Sequence, residues 1–62
     1  MDTQIHLEQI HAKIQVMKEA AEDLNRLGRD FPAVARNTAR IMASLKMLEI
    51  NVSDLLHLGQ SG

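Results

Sequence analysis

The sequence contains no cysteine, no tryptophan and no tyrosine, and its one aromatic residue is Phe31. Without thiols there are no disulfide staples and no thiolate metal sites. Without aromatic rings there is little for nucleic-acid bases to stack on. One proline, three glycines, a single aromatic residue and an abundance of Ala, Leu, Ile, Met, Glu, Lys, Arg and Gln leave strands little to work with and favour helix almost everywhere. No apolar run reaches the roughly 18–20 residues a membrane span requires. The start Met1-Asp2 lacks the basic region of a secretory signal, so we expect a cytoplasmic protein. There is also no glycine-rich phosphate loop and no GxSxG nucleophile turn, and no partner can be placed beside Ser44 or Ser53. We therefore expect neither an enzyme nor a cofactor.

What is present is a chain of 62 residues, 45% hydrophobic and 24% charged, with a formal net charge of −1. That balance is too apolar for a disordered segment. A domain this short buries a small share of its surface and commonly leans on disulfides, a metal or association. With cysteine absent, association is the candidate that remains.

The first segment opens at Asp2-Thr3, either of which can cap a helix. It closes at Gly28, the residue type that enters the left-handed C′ conformation without strain. Between them Leu7, Ile10, Ile14, Met17, Ala21 and Leu24 recur at steps of three and four, which predicts one seam along a helix over about 3–27. Residues 28–30 form a short turn, with Asp30 as a cap and Pro32 in a first helical turn where its missing N–H does no harm. A second helix over about 31–58 carries Phe31, Val34, Thr38, Ile41, Leu45, Leu48, Val52 and Leu55, and residues 59–62 are expected to be a flexible tail. A turn this short makes the helices antiparallel neighbours.

Folding at the turn brings residues with a nearly constant sum of numbers opposite each other: Leu24 with Val34, Ala21 with Thr38, Met17 with Ile41, Ile14 with Leu45, Ile10 with Leu48, Leu7 with Val52. Agreement between local period and global pairing is what a specified fold shows. Ile50-Asn51-Val52-Ser53-Asp54 is the one place where helix 2 can break and start a short third helix near 53–58; an unbroken helix is the favoured reading.

The seams have apolar flanks, Ala20 and Leu27 on helix 1 and Ala35, Met42 and Leu56 on helix 2. A stripe that wide suits a bundle of more than two helices. We therefore expect a homo-oligomer, most simply a dimer of hairpins forming a four-helix bundle, with another helical protein as the alternative partner. Leu7, Ile10, Ile14, Met17, Leu27, Ala35, Ile41, Met42, Leu45, Leu48 and Leu56 are the expected interface. A further band, Ala43, Met47 and Ile50, points away from the main seam; packing under a broken C-terminal helix or in a larger oligomer is the reading favoured over a partner-binding surface. The length, central turn and paired heptads resemble the Rop type of plasmid copy-number regulator. That resemblance implies an antiparallel four-helix bundle built from two hairpins, and it admits RNA as a ligand. No functional residue is carried over from it.

His6 and His11 stand about 140° apart on a helix, while His6 and His57 share the open end of the hairpin with Glu8 and Asp54; solvated histidines are the reading favoured over a zinc site. Charge is uneven. Residues 1–23 hold two lysines against five carboxylates, and residues 24–46 hold Arg26, Arg29, Arg36, Arg40 and Lys46 against Asp30. Glu22 and Arg26 are spaced for an i,i+4 pair. The same turn-end arginines, Arg26, Arg29, Arg36 and Arg40, are the candidate contacts for an anion or nucleic acid.

Overall fold

The structure, a computed structural model, describes residues 3–61 and the side chains of residues 3–57. Two helices, α1 (Thr3–Leu27) and α2 (Pro32–Ser61), pack against each other as an antiparallel hairpin, a rod of 47 × 15 × 13 Å. Asp2 and Gly62 lie outside the described residues, and so does the cap expected from Asp2. α2 runs unbroken through Asn51–Ser53, so no third helix forms. Its helical backbone also passes Gly59, where the sequence predicted a stop. A glycine weakens a helix by about 1 kcal/mol without forbidding it.

The turn differs in detail from its expectation. Gly28 N–H donates to the Leu24 carbonyl at 2.8 Å and Phe31 N–H to the Gly28 carbonyl at 2.9 Å. Ala35 N–H then donates to Phe31 O at 2.9 Å, so Phe31, not Asp30, holds the N-cap position and Pro32 is the first helical residue. Gly28 is not in the left-handed region. It is buried against the first turn of α2: a Cβ there would run into Val34 Cγ1 and stand 3.0 Å from the Leu24 carbonyl oxygen. Closeness of approach, not backbone handedness, requires glycine here.

The core is narrow. Ile14, Ala21, Leu45 and Val52 are buried, with Thr38 the polar member. Leu7, His11, Gln15 and Lys18 of α1 and Ala35, Met42, Glu49 and Leu56 of α2 are half-buried. Half of the predicted seam is therefore elsewhere. Ile10, Met17, Leu24, Phe31, Val34, Ile41, Leu48 and Leu55 are exposed, while Ala35, Met42 and Leu56, read as flanks, take their place. Each helix carries two adjacent stripes that share Leu7, Ile14 and Ala21, or Thr38, Leu45 and Val52. The helices are turned so that the stripe holding His11, Lys18 and Glu49 closes the hairpin, and the greasier one stays open.

Candidate functional site, an uncovered apolar face

Met17, Ile41, Leu45 and Leu48 line one shallow groove between the helices, with Arg40 and Ser44 at its edge. Seven-residue steps return to nearly the same side of a helix, so Ile10 and Leu24 continue the groove along α1, and Val34 and Leu55 continue it along α2. Ile10 is 46% exposed, Met17 44%, Ile41 47% and Leu48 41%, high values for large apolar side chains arranged in one row.

The opposite side of the hairpin is bridged by polar groups, with a recess beside them lined by Lys18, Met42, Ala43, Lys46 and Glu49. Gln15 Nε2 donates to Glu49 Oε2 at 2.6 Å, and Lys18 Nζ donates to both Glu49 oxygens at 3.1 and 3.2 Å. His11 Nε2 lies 3.4 Å from Gln15 Nε2. The stems of Lys18 and Glu49 cover the core while their charged ends meet. The Glu49 carboxyl is held below its ordinary value of 4.5, chiefly by the Gln15 hydrogen bond and then by Lys18. A lowered folded-state value means that stability from this network is complete above the ordinary glutamate range and is lost as pH falls through the lowered value. Carboxylate NMR titration should therefore find Glu49 titrating below 4.5, and Gln15→Ala and Lys18→Ala should each move it back upward. An unshifted Glu49 would show that the network does not form in solution.

The predicted interface residues divide into two sets. Ile14 and Leu45 are buried inside the hairpin, with Leu7, Ala35, Met42 and Leu56 half-buried beside them. Ile10, Met17, Ile41 and Leu48 lie on the open face, and Leu27 is 73% exposed near the turn. Leu24, Val34 and Leu55 belong to the open face as well, although their spacing had assigned them to the seam. The band of Ala43, Met47 and Ile50 is exposed, two to five residues from buried Leu45 and so on the far side of α2. Ile5 and Val16 are exposed on α1 and were missed by the sequence reading, although Ile5, Ala12 and Val16 step by seven and four.

At the turn end Arg26 and Arg29 share a recess with Asn25 and Ala35. Arg26 pairs with Asp23 at 3.0 Å rather than with Glu22, because a short aspartate reaches an arginine one turn on at i,i+3. Arg36 and Arg40 are exposed on α2. Among the described residues no group of three histidine or acidic side chains is placed to hold a metal ion, His6 and His57 included, and no helix is long and apolar enough to cross a membrane. Comparison with known protein families, curated proteins and solved structures finds no match to this chain, so the likeness to Rop-type hairpins rests on architecture alone.

Proposed function

We propose that the chain is a small cytoplasmic, homo-oligomeric helical protein that works through protein–protein contacts, as a regulator, adaptor or accessory subunit, and performs no catalysis. The observation that supports this is the open row of Ile10, Met17, Leu24, Val34, Ile41, Leu48 and Leu55 on one side of a hairpin whose other side is bridged by polar bonds. A second hairpin laid on that row completes a four-helix bundle. The row runs along a hairpin 47 Å long, and a stable interface takes roughly 800 Å² per partner. Burying several such side chains at about 1.5–3 kcal/mol each is comparable to the whole stability of a small domain. Sedimentation equilibrium at micromolar concentration tests it: twice 6.9 kDa is expected, and a folded monomer would reject it.

A second reading, a nucleic-acid-binding regulator of RNA, has one observation in its favour. Arg29, Arg36 and Arg40 have no ion-pair partner among the described residues, and Arg29 faces a recess. If RNA phosphates fill that role, Arg36→Ala with Arg40→Ala reduces the salt slope of binding to a stem-loop by about 2. An unchanged slope would remove these residues from the contact.

A further inference from the structure

The two outer edges of the hairpin are unlike, and they match. On α1, Ala12 and Val16 lie two residues either side of buried Ile14, and Glu19 and Asp23 two either side of buried Ala21. Two residues is about 200° of helix rotation, so these four side chains face directly away from the core. On α2 the same relation puts Arg36 and Arg40 either side of buried Thr38, and Ala43 and Met47 either side of buried Leu45. All eight are exposed. Glu19, Arg36 and Arg40 have no ion-pair partner among the described residues, and Asp23 holds Arg26.

Equal counts back from Gly28 and forward from Phe31, at one rise per residue, bring the two edges to matching heights. Glu19 and Asp23 stand level with Arg40 and Arg36, and Val16 and Ala12 level with Ala43 and Met47. We propose that a second copy of this chain docks beside the first, the outer edge of its α1 against the outer edge of α2, after a sideways shift of one hairpin width. The shift keeps every height, so carboxylates meet guanidinium groups and small apolar side chains meet Ala43 and Met47. Neighbouring helices in the row remain antiparallel. Because the two edges differ, the contact is heterologous: it does not close at two copies, and it builds a row or a ring. Asp54, beyond Ile50 on α2, meets no cation of the α1 edge, which leaves the attraction concentrated toward the turn end.

This surface meets the open apolar face at Arg40, which edges the groove, and its charge pairing does not depend on that face. Sedimentation velocity of the full chain from micromolar to millimolar concentration should show growth beyond two copies at low salt. That growth should vanish near 1 M salt, where charges are screened beyond about 3 Å. Glu19→Arg with Asp23→Arg, and separately Arg36→Glu with Arg40→Glu, should each raise the concentration needed for growth by at least about tenfold. The chain carrying all four substitutions should return to within about threefold of the starting protein, because reversing both edges restores their match. Circular dichroism of each variant should match the parent, since all four positions are exposed. Growth that ignores salt and charge, failure of the fourfold variant to recover, or a wild-type chain fixed at two copies would each overturn the inference. The last result leaves the apolar-face reading intact. An Ile41→Asp chain that loses the two-copy form yet keeps salt-sensitive growth separates the surfaces in the other direction.

Discussion

Ile41→Asp is expected to raise the dissociation constant of the two-hairpin assembly by at least about 100-fold, leaving a species near 6.9 kDa at micromolar concentration. Ile41 lies at the middle of the open groove with Met17 and Leu48. In the isolated hairpin the new carboxylate stays wet, because the position is 47% exposed. In the assembly it would be carried into an apolar layer whose lining cation, Arg40, stands only at the edge. Fully burying one isoleucine is worth about 1.5–3 kcal/mol, of which the assembly supplies about half because the rest is already covered in the hairpin, and the unpaired charge adds at least about 1 kcal/mol. A two-fold interface contains the substitution twice, so the two terms together exceed the roughly 2.8 kcal/mol of a hundredfold change. Ile41→Leu keeps volume and polarity and should leave the mass unchanged. Helicity measured across concentration separates the loss of partners from loss of the hairpin itself, since a lone hairpin has little stability to spare. An Ile41→Asp protein that still sediments at twice the chain mass would show that the groove is not where copies meet.

Gly28→Ala is expected to destabilise the protein by about 1–3 kcal/mol, the range for forcing atoms into a filled site. At a glycine with helical backbone angles and open surroundings the same change stabilises by about 0.4–1 kcal/mol, so the sign is diagnostic. Gly28 has no left-handed backbone to lose, and the effect comes from space alone. The new methyl collides with Val34 Cγ1, and also meets Val34 Cβ at 3.2 Å and the Leu24 carbonyl oxygen at 3.0 Å. Val34 can rotate its methyl away, but the carbonyl belongs to the end of α1 and moves only with the helix. Gly28→Ala combined with Val34→Ala should therefore recover part of the loss and not all of it. Urea unfolding at fixed protein concentration measures both, and a single Gly28→Ala variant as stable as its parent would show that the helices do not approach this closely.

Much of the architecture was legible in the residues. Steps of three and four from Leu7 to Leu24 and from Val34 to Leu55 specify two helices. Gly28 and Pro32 place the turn within a residue or two, and a short turn makes the helices antiparallel. What remained open was the rotation of each helix about its axis. The shared positions Leu7, Ile14, Ala21, Thr38, Leu45 and Val52 sit in the seam under either of two rotations about 50° apart. A reading by hydrophobicity turns Ile10, Met17, Ile41 and Leu48 inward, and the folded hairpin turns them outward. The signal that could have decided it is the polar stripe: Lys18 and Glu49 carry opposite charges on long stems and can meet only across a seam they flank. Hydrophobicity ranks such residues as surface and hides that they close one side of the core. The stop at Gly59, the Asp30 cap and the Glu22–Arg26 pair were local expectations that the actual geometry around each residue replaced.

By itself the sequence determined that this protein is two antiparallel helices with more apolar surface than one hairpin seam can cover, since period and turn chemistry act locally and need no partner. Only the tertiary structure decided which stripe is spent inside the hairpin and which is left uncovered. That choice depends on charges 31 residues apart, Lys18 and Glu49, meeting across the seam, and on how closely the helices can approach at Gly28. Neither quantity exists until both helices are in place.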